Sequence, residues 1–120
     1  MTLTREEYER VEKQYLFCVK EIFELSQQGF LRIESLEKYK RVGWKNNQLI
    51  GLNDIIKFVR DCLRDRCWGR LAGENFYIHI GYDFYVYIGT NLNIEIVKSL
   101  VNKYHLFFKE MISPYLHNDN

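Results

Sequence analysis

Proline is almost missing from this chain. Pro114 is the only one in 120 residues, and with few serines beside it no segment has the composition of a linker. The length fits a single globular domain, 1–120, able to bury a core without disulfides or metal to staple it. No window approaches the ~18 consecutive apolar residues of a membrane span, and the start, MTLTREEYER, lacks a basic segment followed by an apolar one. A cytoplasmic location is the expectation. Cysteine is scarce and odd in number: Cys18, Cys62 and Cys67 fall in helix-like or strand-like surroundings, which predicts reduced thiols in a reducing compartment. Cys62 and Cys67 are separated by four residues with no second ligand pair, so the spacing argues against zinc. No phosphate loop appears either, and no cofactor is expected. Lys and Arg are absent between 71 and 97, where Glu74, Asp83 and Glu95 stand alone. The net charge of +1 therefore hides an uneven distribution, with five basic and eight acidic groups in 1–37 and nine basic against three acidic in 38–70. These blocks either balance each other across the fold or leave two poles, each able to steer a charged partner.

What the chain has in quantity is aromatic residues, at 16%, and they gather in 67–90, CWGRLAGENFYIHIGYDFYVYIGT. Successive strand side chains point to opposite faces. Phe76, Ile78 and Ile80 share one parity with Phe84, Val86 and Ile88, which predicts a core face. The opposite parity holds Tyr77, His79, Tyr85 and Tyr87, large rings with polar tips suited to a half-wet surface. A slip of one residue would exchange the two sets, so this contrast also pins the register. Gly73-Glu74 fits a two-residue hairpin turn and Gly81-Tyr82-Asp83 a looser second one, giving a three-strand antiparallel meander. A single bent strand over 76–88 would satisfy the same alternation.

Helical patterning flanks this stretch. Thr4 and Glu7 form a capping box, followed by Tyr8, Val11, Tyr15, Cys18, Ile22 and Leu25 in steps of three and four, with Leu16, Val19 and Phe23 widening the stripe. Glu6 with Arg10 and Glu9 with Lys13 have favourable spacing for ion pairs on the solvent side, and Gly29 is the predicted stop. Over 30–52 a short helix at 35–41 competes with a hairpin turning at Asn46-Asn47; Trp44 reads as a core or interface anchor in both. Asn53 is the predicted cap of the next helix, with Asp54 in its first turn and Ile55, Ile56, Phe58, Val59, Cys62 and Leu63 on the apolar side. Asn93 starts the last helix, whose broad apolar side from Val97 to Ile112 predicts the most buried of the three, stopped by Pro114. The fold class is α+β, with three main helices packed on a small antiparallel β meander.

Three kinds of function remain to be weighed. An acid/base enzyme needs titratable groups converging on one pocket; the nearest set is His79 with Asp83 and Glu74 or Tyr85, and no activated nucleophile accompanies them. A nucleic-acid binder would use the basic segment 38–70, with Tyr39, Trp44 and Trp68 as stacking rings, but dedicated binders carry a clearer basic excess. A protein-binding module fits the sheet better, because tyrosines supply contact area at small entropic cost. Its candidate interface is Tyr77, His79, Tyr85 and Tyr87 as contact area, Glu74 and Asp83 as electrostatic complement, and Trp68 and Arg70 at the rim. Acidic groups among aromatics without a local cation suit a basic groove on the partner.

The run CWGRLAGENFYIHIGYDFYVYIG resembles bacterial immunity proteins of contact-dependent growth inhibition and related polymorphic-toxin systems. The resemblance covers about a fifth of the chain and implies a non-enzymatic protein that binds and neutralises the C-terminal domain of a cognate toxin, in this class often a nuclease, by occluding its active site. Such proteins share no common fold and no common functional residues, so the site residues come from the strand alternation alone. Inhibitors of basic nucleases are commonly acidic overall, whereas this chain is near neutral, which leaves room for the basic segment to meet an acidic toxin surface. A homodimer is compatible with the same face.

Overall fold

A computed structural model of the chain describes residues 4–80 and 86–106, within which the patterning resolves into three helices and five strands. In order these are α1 (Arg5–Ser26), β1 (Leu31–Lys38), β2 (Leu49–Ile50), α2 (Leu52–Leu63), β3 (Cys67–Ala72), β4 (Phe76–Ile80), β5 (Val86–Thr90) and α3 (Ile94–Lys103). The strands form one antiparallel sheet in the order β2-β1-β3-β4-β5. The α+β class is as expected from the sequence; the sheet is larger than the meander, because a β1–β2 hairpin is added at its edge. Among the described residues no helix is long and apolar enough to cross a membrane.

The helix α1 begins as its sequence dictates. The Glu7 amide donates to Thr4 Oγ1 at 3.1 Å and the Thr4 amide donates to Glu7 Oε1 at 2.9 Å, satisfying two amides that the helix leaves over. Its end differs from expectation. Gln27, not Gly29, takes the left-handed conformation, with φ 59, because the buried stripe ends at Phe23 and the chain must turn toward β1. The stripe itself is also shifted: Leu16, Val19, Ile22 and Phe23 are buried with Cys18, while Tyr8 and Leu25 are exposed. The narrower seam therefore carries the packing. Glu9 pairs with Arg5 at 3.3 Å rather than with Lys13.

Residues 30–52 form the hairpin and not the short helix. Glu, Leu and Lys in LRIESLEK favour a helix locally, but pairing with β3 prevails over that preference. A register shift between Glu34 and Glu37 inserts an extra residue opposite Gly69, and Ser35 there adopts φ 54. That bulge breaks the alternation from which a strand would be read. Asn47, at φ 68, supplies the turn. Trp44 packs edge-on against Phe58 with ring centroids 5.6 Å apart and donates its indole N–H to Asp61 Oδ2 at 2.8 Å, so it anchors the loop to the core.

The helix α2 starts two residues earlier than Asn53 predicts, capped at Gly51 without a side-chain bond, directly after Ile50 ends β2. Its buried face is Ile55, Phe58, Val59 and Cys62; full burial of Phe58 alone contributes about 2–3 kcal/mol. Between β3 and β4 the turn centres on Glu74-Asn75, one residue later than Gly73-Glu74, as Ala72 pairs with Tyr77 and the Gly73 amide donates to the Phe76 carbonyl at 2.7 Å. The turn predicted at Gly81-Tyr82-Asp83 lies outside the described residues.

Asn93 caps α3 as expected, its Oδ1 accepting from the Glu95 amide at 2.7 Å. The helix is not the most buried: none of its residues is fully buried, because α1 and α2 occupy the centre of the layer and α3 covers its margin. Val97, Leu100 and Val101 rest on that margin, and Lys103 and the Tyr104 hydroxyl both bond to Glu21 of α1. Phe107, Phe108, Met111, Ile112 and Pro114 lie outside the described residues.

Candidate interaction face on the sheet

The core side of the sheet presents Leu31, Ile33, Cys67, Leu71, Phe76, Ile78 and Ile80, all buried against the helices. Everything of opposite parity must then lie on the other face. Strand register sets those residues in two transverse rows. One runs Leu49, Arg32, Ala72, Tyr77, Gly89 from edge to edge; the next runs Glu34, Arg70, His79, Tyr87. The described helices pack on the opposite side of the sheet.

The second row is closely interlocked. Arg70 Nε meets Glu34 Oε1 at 3.1 Å, with both side chains about 30% exposed. His79 stands between two tyrosines, with ring centroids 5.5 Å from Tyr77 and 5.4 Å from Tyr87, both edge-on. It is 1% exposed and Tyr87 9%, whereas the sequence predicts both as open contact area. The parity is right, but the rings pack on one another and His79 and Tyr87 make further contacts; of the three, Tyr77 alone stays half-exposed. Burial, with Arg70 adding like-charge repulsion, lowers the His79 pKa to about 4. Burial also raises that of Tyr77.

The first row makes a shallow concavity of about 550 Å³, lined by Arg70, Ala72, Glu74, Tyr77, Gly89 and Thr90 among others. Its floor is low because Ala72 and Gly89 carry little side chain, and Tyr77 lies across Gly89. A Cβ at Gly89 would stand 1.7 Å from Tyr77 Cε1, so glycine is required for the ring to lie flat on β5. Gly89→Ala is expected to lift Tyr77 and cost about 1–2 kcal/mol as an overpacked contact; urea unfolding would measure the loss, and an unchanged midpoint would refute the contact.

Of the other predicted residues, Trp68 is half-buried on this face and donates its indole N–H to the Ile80 carbonyl at 2.7 Å. Glu74 is exposed in the β3–β4 turn, its amide bonded to Gln28 Oε1 at 3.2 Å. Asp83 and Tyr85 lie outside the described residues. Sequence reading missed the edge of the face: Phe30, 63% exposed, lays its ring near Gly51, and Leu49, 59% exposed, flanks Arg32. These are the two most exposed large apolar side chains described, and by alternation they lie on the same face. Only the hairpin pairing reveals them.

The basic segment is partly consumed by the fold. Arg60 and Arg64 pair with Glu12, Arg66 with Asp61, and Arg70 with Glu34. Both tryptophans of the segment hold internal hydrogen bonds, which reduces their availability as stacking platforms. A second cleft, about 450 Å³, lies between α1 and the end of α2, where Tyr8, Val11, Tyr15 and Leu63 surround the Glu12–Arg64 pair. Among the described residues no three His, Cys, Asp or Glu side chains come together as a metal site.

No family model, curated protein or solved structure matches this chain.

Proposed function

We propose that this protein is a non-enzymatic immunity protein, which binds the C-terminal domain of a cognate bacterial toxin through the face of its sheet opposite the described helices and occludes the toxin active site. The observation that carries the reading is the face itself. It presents half-exposed Tyr77, Trp68 and Arg70, the residue types that dominate the energetic centres of interfaces, beside exposed apolar area from Phe30 and Leu49. Catalysis has less support. His79 supplies the imidazole among the described residues of the face, and a buried, neutral imidazole is poorly placed to exchange protons with a substrate.

The test is to read the genes beside this one for a toxin domain and to measure binding to it. Tyr77→Ala and Phe30→Ala are each expected to weaken the complex at least about tenfold by calorimetry, and to lose protection in a growth assay. Binding left unchanged by the pair of substitutions, with the fold intact, removes this face from the interface.

A further inference from the structure

Two buried thiols lie away from the interaction face. Cys62, in the last turn of α2, and Cys67, the first residue of β3, bring their Sγ atoms to 3.9 Å. The connection between them is what brings them together. Asp65 adopts the left-handed conformation at φ 60, its amide donates to the Cys62 carbonyl at 3.0 Å, and the Arg66 amide donates to the Asp61 carbonyl at 2.9 Å. Helix and strand are thus joined by a bonded turn that keeps each sulfur beside the other. Cys62 and Cys67 are 5% and 1% exposed, so the pair is shielded, while Arg64, Asp65 and Arg66 in the turn above it are exposed. A disulfide has its sulfurs at ~2.05 Å, and the remaining gap is of the size that side-chain rotation with a small adjustment of this turn supplies.

We infer that Cys62 and Cys67 form a reversible dithiol–disulfide site, oxidised by low-molecular-weight disulfides of the glutathione kind. The chemistry of the two sulfurs is unequal. The sulfur–sulfur hydrogen bond, in which either thiol can donate, holds the Cys67 thiol below its ordinary pKa and, together with burial, pushes that of Cys62 up. Cys67 is therefore the attacking thiolate, and because it is 1% exposed it meets the oxidant when the exposed turn over 64–66 opens locally. It displaces one glutathione thiolate and forms a mixed disulfide; Cys62 then gives up its proton and attacks Cys67 Sγ, expelling nothing from the protein but the second glutathione thiolate. Two protein thiols become one disulfide, and one glutathione disulfide becomes two glutathione thiols. Cys18 has no such neighbour, and burial with Glu21 nearby pushes its thiol up to about 11, so it stays inert. The bond would tie the end of α2 to the strand that presents Trp68 and Arg70. That last consequence rests on the proposed function; the disulfide does not.

The experiment uses the folded full chain with glutathione disulfide, quenched in acid, unfolded and alkylated with a maleimide. One alkylated thiol per chain, mapped to Cys18, a Cys62–Cys67 linked peptide, a mass lower by two hydrogens and recovery of all three thiols with dithiothreitol are expected. Three remaining thiols, or a link through Cys18 or a second chain, would overturn the proposal. In Cys62→Ser, glutathione is expected to remain on Cys67; its absence there, with the fold intact by circular dichroism, overturns it equally. Toxin binding does not enter either readout, so a failed interface leaves this site standing.

Discussion

Replacing Arg64 with methionine is expected to destabilise the fold by about 3 kcal/mol, because it leaves a buried carboxylate without its principal partner. Glu12 is only 6% exposed on α1, and Arg64 grips it with both arms of the guanidinium, Nε to Oε2 at 2.8 Å and Nη2 to Oε1 at 2.9 Å. Such a fork is the strongest form of charge-assisted hydrogen bond. Arg60 Nε stands at 3.8 Å and can recover part of the loss, which sets the expectation at the low end of the range for broken buried pairs. Because Arg64 caps α2, the pair also fixes the crossing of the two central helices. The double variant Glu12→Leu with Arg64→Met is expected to return most of the stability, since an apolar pair of similar volume removes the stranded charge. Guanidinium unfolding of the two single variants and the double one completes the cycle. Additive losses would show that Glu12 and Arg64 do not depend on each other.

That pair also shows where the sequence was legible and where it was not. Glu12 falls four residues before Leu16 and seven before Val19, on the seam that turns out to be buried, so its position on the helix carried a signal. Its partner did not: Arg64 is 52 residues away, and only the packing of α2 on α1 brings them together. The same division holds in the sheet. Alternation placed Phe76, Ile78 and Ile80 in the core and Tyr77, His79 and Tyr87 opposite, as the strands confirm, because facing is a local property of the backbone. How deeply His79 and Tyr87 are covered depends on rings contributed across strands, which alternation does not report. In β1 the bulge at Ser35 removed even the local signal, and with it the exposed edge formed by Phe30 and Leu49. Helix ends failed for a related reason: Gln27 and Gly51 were chosen by where neighbouring strands must start or finish rather than by the best capping residue nearby.

Acid is expected to weaken the protein as pH falls from 6.5 toward 4, and His79 is the cause. The ordinary imidazole pKa of 6.5 falls to about 4 in the fold through burial and the nearby Arg70. The unfolded chain therefore takes up the proton first as pH falls through 6.5. Stability is complete above that value, declines as pH drops, and stops changing on this account below about 4, where both states are protonated; the full difference corresponds to about 3 kcal/mol. Between pH 7.5 and 5.0 the expected loss is about 2 kcal/mol. Glu7, held low by the Thr4 amide, and Glu21, held low by Lys103, ionise below their ordinary 4.5 and add nothing in this window. Urea midpoints measured across it should slope for the natural chain and run level for His79→Phe, whose ring can occupy the same space between Tyr77 and Tyr87 without a proton to bind. A slope that persists in His79→Phe would place the acid-sensitive group elsewhere and would mean that the imidazole between the two tyrosines is better solvated than its 1% exposure implies.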